Sequence, residues 1–429
     1  MTGGARRWGG LLRQRDFRLL WIGETTSSVG NSITKVALPL VAVTALRAST
    51  LTVSVLYAAA WLPWLLIGLP AGAWVDRLPR RRLMLACDAV SLVALGSVPI
   101  AAWCGVLTVP QLLVVALIAG VSAVFFSTAY AVFLPSVVSR DGLVEGNTKL
   151  EGSRSAAQVA GPGAAGLLAQ AFGAVAGLLA DVATFAASAV CLIAIGEREL
   201  AGTRSRPPGS LRADIRAGLR LSYRDPYLRV FAVYGATGNL ALTGWQTLEV
   251  VFLVRTVGIG SGTVGVLLAV IGLGGVAGAA SARAIAGRLG SARAVVVCGL
   301  GTTPFGLLTP LAGAGPRLAL FAVGGVVVSA GITAGNVIAR SFRQAYCRPE
   351  MLGRLTASAR TLAYGAIPLG ALLAGGLGTL LGVRTAFWVM TSLLVAAGSV
   401  LLAGPLRQER RLPDRPQRTD LVGAGVTRR

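Results

Sequence analysis

Five ionisable side chains sit inside long apolar stretches: Glu24, Lys35, Asp88, Asp181 and Glu249. A charge at such a position costs several kcal/mol unless a partner or water meets it, so each needs a reason to be there. Glu24 lies roughly two helical turns in from a basic flank. A carboxyl there could exchange a proton with a wet cavity, or could act only in an interhelix hydrogen bond. Asp88 closely follows the run Arg80–Arg82 and reads as a partner to it. Lys35, Asp181 and Glu249 are the remaining candidates for carrying or gating a proton.

Composition removes most other chemistry. There is no His, which excludes His-based acid–base work, Ser-His-Asp triads and most zinc sites. The five Cys (Cys87, Cys104, Cys191, Cys298 and Cys347) lie far apart with no CxxC pair, which argues against a metal cluster or a disulfide framework. No Gly-x-x-x-x-Gly-Lys-Ser/Thr loop is present to cradle a phosphate, so ATP-driven pumping is not expected. The sequence needs no metal and no cofactor, and it does not read as an enzyme.

The elements that hold the charged residues are long and apolar. Of 429 residues 54% are hydrophobic and 13% charged, with a mean hydropathy of +0.70. Apolar runs long enough to cross a bilayer as helix predict spans at 17–45, 51–74, 82–103, 110–134, 155–173, 175–195, 228–254, 262–286, 293–312, 317–340, 355–380 and 384–404. Backbone groups in lipid must be paired within a helix or around a closed barrel. These runs are too long and too continuous for alternating barrel strands. The expected fold is therefore an all-α membrane protein of twelve transmembrane helices. The first run follows Arg6, Arg7, Arg13, Arg15 and Arg18 without a cleavage site behind a short apolar core, so it reads as a retained span.

The charge distribution orients the chain. The net charge is +23. With the N-terminus in the cytoplasm, only Arg47, Arg255, Arg317 and Arg384 fall on the opposite side, and Lys35 falls within a span. Both termini are thus predicted to be cytoplasmic. The charge reads as a collar facing anionic lipid heads rather than as a nucleic-acid site. Residues 1–16 form a cytoplasmic N-tail, and 17–195 and 228–404 form two six-helix bundles. The polar linker 196–227 carries Leu211, Ile215, Leu219 and Tyr223 along one side of a helix, with Arg212, Arg216 and Arg220 beside them, as in a helix lying on the membrane surface. Residues 405–429 read as a disordered tail. An internal repeat supports the division: Arg154 and Pro162 recur in register as Arg360 and Pro368.

After the second run comes Gly72-Ala-Trp-Val-Asp76-Arg77-Leu-Pro79-Arg80-Arg81-Arg82. This resembles the loop motif of the major facilitator superfamily, Gly-x-x-x-Asp-Arg/Lys-x-Gly-Arg-Arg/Lys, with Pro79 where Gly is usual. Leu134-Pro135, Gly161-Pro162, Asp181-Val-Ala-Thr-Phe185, Leu352-Gly353-Arg354 and Pro368-Leu-Gly370 are similar to the branch that includes bacterial siderophore and macrolide exporters. Two departures leave open which acid carries the proton: span 4 has no Arg in Phe125-Phe-Ser-Thr-Ala-Tyr130, and Asn31 stands where an acid is often found in span 1.

The resemblance implies two pseudo-symmetric six-helix halves around a central cavity. It implies a cytoplasmic gate built from Gly72, Asp76, Arg77, Arg80 and Arg81, with Arg360 near the start of span 11 adding charge to a helix N-terminus that Asp76 could face. Gly161, Pro162, Gly163 and Gly166 resemble part of a span-5 antiporter motif, or are simple packing. Lys35 and Glu249, in symmetry-related spans 1 and 7, could pair as an outer gate, a charge-coupled site or a structural ion pair. Asp181 matches a family position and favours packing over transport. Thr25, Ser28, Asn31, Asn239, Trp245 and Gln246 of spans 1 and 7, with Phe125, Phe126, Tyr130 and Asn336 of spans 4 and 10, are the expected cavity wall. Such a wall suits amphiphilic ligands of moderate size. The implied function is proton-coupled export of a drug, siderophore or other secondary metabolite by alternating access, from a monomer in a bacterial cytoplasmic membrane. The partners are substrate, protons and lipids. Import, flipping of a lipid-like solute and non-transporting sensing are the alternatives.

Overall fold

A computed structural model describes residues 10–68, 70–75, 77–138, 142–195, 220, 223–346, 349–403 and 405–413, with the backbone alone described for 73, 132, 144, 345 and 349–362. The principal helices are α1 (Arg15–Thr44), α2 (Thr50–Leu66), α3 (Arg80–Trp103), α4 (Val109–Val137), α5 (Leu143–Phe172) and α6 (Ala176–Ala194). They continue as α7 (Pro226–Val251), α8 (Ser261–Leu289), α9 (Ser291–Val296), α10 (Leu318–Tyr346), α11 (Pro349–Leu380) and α12 (Val383–Ser399). Among the described residues there is no strand, and nine helical segments are long and apolar enough to cross a membrane. The other three rods are α2, which has 17 residues, and α1 and α5, which are long enough but interrupted by polar and charged residues.

Helix ends follow local chemistry more than hydropathy. Helix α5 begins well before the expected 155, because Glu145 and Lys149 form an i,i+4 pair at 3.2 Å that carries the helix on past the apolar stretch. The expected span 51–74 splits into α2 and a short helix Pro70–Val75, since Gly68 and Pro70 end one helix and start the next. Helix α9 loosens into a π turn (Val297–Gly301) and a 3-10 stretch (Thr303–Leu311) that contains Pro304 and Pro310. Asp225 caps α7 by accepting from the backbone N–H of Tyr227 and Leu228, both at 3.0 Å. The amphipathic stretch 211–223 lies almost wholly outside the described residues. Residues 405–413, read from sequence as the start of a disordered tail, instead pack on the body: Leu406 and Leu412 are buried, and the Tyr227 hydroxyl donates to Glu409.

Packing repeats with a shift of six helices. Helix α1 packs on α5 and α6, and α7 packs on α11 and α12. The pairs α2–α4, α3–α4 and α3–α6 recur as α8–α10, α9–α10 and the packing of the π and 3-10 stretch after α9 on α12. The two halves meet along α2–α11 and α5–α8, which are mates under the same shift. This is the architecture expected of a duplicated half.

Small residues allow the halves to touch. A Cβ on Gly166 would stand 2.5 Å from the Ser261 carbonyl oxygen and 2.6 Å from Gly265 Cα. A Cβ on Gly265 would stand 2.6 Å from the Pro162 carbonyl oxygen. Along the other seam Gly375 faces Ser54 and Gly378 faces Thr50. These contacts lie toward the face opposite the chain termini, here termed the far face. There Arg255 also donates to the Ala48 carbonyl, joining the halves. Toward the terminal face, Gly152 of α5 and Gly287 of α8 have open space around them.

Candidate functional site

Glu24, Ser28, Asn31 and Lys35 recur every three or four residues and therefore share one side of α1. Glu24 is buried at 8% exposure. Arg154 of α5 donates to its Oε1 from Nη2 at 2.6 Å and from Nε at 3.2 Å. The same guanidinium lies 5.5 Å from the ring centroid of Tyr130 on α4, and Phe126 stacks on Tyr130 at 6.4 Å. Three helices thus converge on one charge pair. The attraction and the cation–π contact offset the cost of taking both ions out of water. Arg154, which the sequence marks only through its recurrence as Arg360, is thus the partner of Glu24. The available signal is the recurrence of Arg154, in register with Arg360, at the start of a membrane-length segment.

Asp88 does not pair with Arg80–Arg82. It is 1% exposed, hydrogen-bonds with the Ser188 side chain of α6 and lies within electrostatic range of Glu24. Its Oδ2 has no hydrogen-bond partner. The arginine run points elsewhere: Arg81 donates to the carbonyls of Leu192 and Ile193, at 2.8 and 2.7 Å. Those carbonyls end α6, where unpaired acceptors and the helix dipole favour a cation. Arg77 is exposed, Arg80 is half-buried and Gly72 has open space beside it. Asp76 and the Arg360 side chain lie outside the described residues.

Asp181 is fully buried and ties α6 to α1. It accepts from Thr34 of α1 and, at 2.9 Å, from Thr184. Gly30 lies against that pair, and any side chain there would overlap Thr184 Oγ1 and Asp181 Oδ1. Gly161 similarly backs onto Ser32 of α1, while Gly166 and the Pro162 carbonyl face α8, and Gly163 sits in ordinary contact with Ala269. One motif therefore serves two interfaces, one within the half and one between halves.

Lys35 and Glu249 do not form the expected pair. Among the described residues neither makes an ion pair or hydrogen bond. Lys35 is exposed, whereas Glu249 is buried at 9% exposure and lies within electrostatic range of Tyr57 of α2. Helix α7 is rotated so that Glu249 faces α2 rather than the α1 stripe. Trp245 is likewise no cavity residue: it is 2% exposed and packs on Phe387 of α12 at 6.5 Å. Asn31, Gln246 and Asn336 are exposed, and Ser28 and Asn239 half-buried. Asn31 donates to Ser27 Oγ at 3.3 Å, and Asn239 to the Gly235 carbonyl at 2.7 Å. The Thr25 hydroxyl and the Tyr130 hydroxyl are buried without partners. Phe125 stacks on Trp74 of the short helix Pro70–Val75 at 5.9 Å.

Known proteins agree with this architecture. The family model described as transmembrane secretion effector matches residues 8–421. The chain is 30% identical over 413 residues to the multidrug efflux pump Tap of Mycolicibacterium fortuitum, covering 93% of this chain and 98% of that protein. It is 28% identical to the pump of the same name in Mycobacterium tuberculosis, covering 91% and 94%. Among solved structures, the nucleoside transporter NupG superposes with a TM-score of 0.74 at 12% identity, covering 92% of this chain and 99% of that one. A bacterial homologue of the iron transporter ferroportin, inward-facing, gives 0.71 at 16% identity with 92% and 99% covered. The duplicated helical packing and the match across nearly the whole length converge on one conclusion: this multi-pass membrane protein belongs to the transmembrane secretion effector family of major facilitator transporters.

Proposed function

We propose that the chain is a proton-coupled exporter of amphiphilic small molecules that works by alternating access. The observation that carries the reading is the Glu24–Arg154 pair, held at membrane depth on the stripe that runs through Asn31 and Lys35. A carboxyl that can exchange an Arg partner for a proton links protonation to the position of α5, and α5 forms a seam between the halves. Loss of the charge on Glu24 frees Arg154, so proton and substrate compete for one arrangement of helices. The Arg distribution places the terminal face in the cytoplasm. On that assignment the seams toward the far face close the outside, and the open space near Gly152 and Gly287 faces the cytoplasm, ready to load substrate for export. Phe126, with the half-buried and exposed polar groups of α1, supplies a mixed wall of the kind that holds amphiphiles. The efflux activity named for its relatives supports the outward direction.

The test is efflux from everted vesicles with a panel of dyes, macrolides and siderophores, with and without a protonophore. Protonophore-sensitive export of a panel member is expected, and Glu24→Gln is expected to abolish it while leaving the protein folded. Glu249→Gln is made in parallel. Wild-type gradient-driven export in both variants would remove these acids from the coupling mechanism.

A further inference from the structure

Asp88 is a second acid at the depth of the charge pair, and the Glu24–Arg154 contact leaves it unused. Its surroundings are specific. Helix α3 packs against α4 and α6, and α1 approaches through Glu24. A small cavity beside it is lined by Gly23, Glu24, Met84, Phe126, Ser188 and Cys191. Met84 is one turn before Asp88 on α3, and Ser188 both lines the cavity and bonds to Asp88. One carboxylate oxygen of Asp88 is fully buried and unpartnered. The titratable groups around it are Glu24 from α1, Cys191 from α6 across the cavity and Cys87 on its own helix; Arg154 from α5 and Tyr130 from α4 stand on the far side of Glu24. Glu151 reaches Tyr130 and Arg154. No cation among the described residues binds Asp88.

We infer that Glu24 and Asp88 form a two-carboxyl proton site in which Arg154 neutralises Glu24 and a proton neutralises Asp88. This rests on the exporter reading and says where its coupling proton resides. Two negative charges at this depth, with the one Arg engaged by Glu24, leave the charge on Asp88 uncompensated, at a cost of several kcal/mol. A proton on Asp88 removes that charge. When Arg154 leaves Glu24, Asp88 hands its proton to Glu24 across the small cavity next to Ser188 and takes another from the open side. When Arg154 returns, Glu24 gives up its proton, so each cycle loads a proton at Asp88 and releases one at Glu24. No bond other than O–H forms or breaks. Carboxyls that act on each other electrostatically titrate as a pair, so removing either acid alters the other's pH response.

The experiment uses the full chain in liposomes with ethidium as probe, measuring ethidium movement driven by an imposed pH gradient and, separately, downhill ethidium equilibration. Asp88→Asn is expected to keep downhill equilibration and lose gradient-driven transport. Asp88→Glu is expected to keep both with a displaced pH profile. Gradient-driven transport by Asp88→Asn at the wild-type rate and with the wild-type pH profile would overturn the inference, leaving Asp88 as packing. A wild-type protein that moves ethidium downhill but ignores the pH gradient would instead overturn the proton-coupled reading itself. If Asp88→Asn fails to fold, Ser188→Ala decides: a displaced pH profile supports the shared site, and an unchanged one refutes it.

Discussion

The seam between α5 and α8 permits a quantitative test of how the halves separate. In Gly166→Ala the added methyl would meet the Ser261 carbonyl oxygen at 2.5 Å and Gly265 Cα at 2.6 Å. These are backbone atoms, so relief requires the two helices to move apart rather than a side chain to turn. Overpacking a contact of this kind costs about 1–3 kcal/mol. The methyl stands between halves, so the cost falls on the state in which the far ends touch and is absent once they part. Converted at 1.4 kcal/mol per factor of ten, the far-face-open population rises about 5- to 150-fold. The reporter is Ser54→Cys in a Cys-free background, because Ser54 is 0% exposed and faces Gly375 across the other seam. In detergent, maleimide labelling of that Cys should accelerate by the same factor in Gly166→Ala. Gly163→Ala is the control: its methyl would lie 3.5 Å from Ala269 Cβ, an ordinary contact, and labelling should not change. Equal labelling in Gly166→Ala and wild type would refute the view that this glycine pair sets how closely the halves meet.

Three further outcomes concern the folded state, each read by thermal unfolding in detergent. Arg154→Ala should lower stability by about 1–3 kcal/mol, less than a fully buried pair, because the Arg154 side chain is 41% exposed. Adding Glu24→Gln should recover part of that loss, since the stranded charge is gone. Gly30→Ala places a methyl on Thr184 Oγ1 and Asp181 Oδ1 and should cost about 1–3 kcal/mol; no loss would mean that α1 and α6 can separate freely there. Arg81→Ala removes two hydrogen bonds to the end of α6 and should destabilise by about 1 kcal/mol. Arg81→Lys should not restore it fully, because a single ammonium cannot fork between two carbonyls.

Several parts of the site were legible in the residues alone. Burying a charge in lipid is costly, so Glu24, Asp88, Asp181 and Glu249 stood out before any contact was known. The glycines of 161–166 also stood out, because close helix approach needs small residues. Partners were harder to read. Arg154 lies just outside the expected apolar span, so hydropathy assigned it to the flank, yet α5 runs on as helix and brings it to Glu24. Asp88 shares a side of α3 with Arg81 but lies two turns further along it, so Arg81 meets the carbonyls that end α6 while Asp88 meets Ser188 deeper on the same helix.

What the sequence determined by itself was the set of apolar rods and their duplication, because a bilayer admits only self-satisfied backbone and hydropathy reports that directly. It also determined which residues share a side of each rod, since helical periodicity is local. Only the tertiary structure decided how each rod is rotated against its neighbours. That rotation parts Lys35 from Glu249, turns Glu249 toward Tyr57, sends Trp245 into the α12 contact and sets Glu24 on Arg154. The physical reason is that rotation is fixed by packing between segments distant in sequence: the closeness allowed by Gly30, Gly161, Gly166 and Gly265 sets the angle at which α1, α5, α6 and α8 can meet.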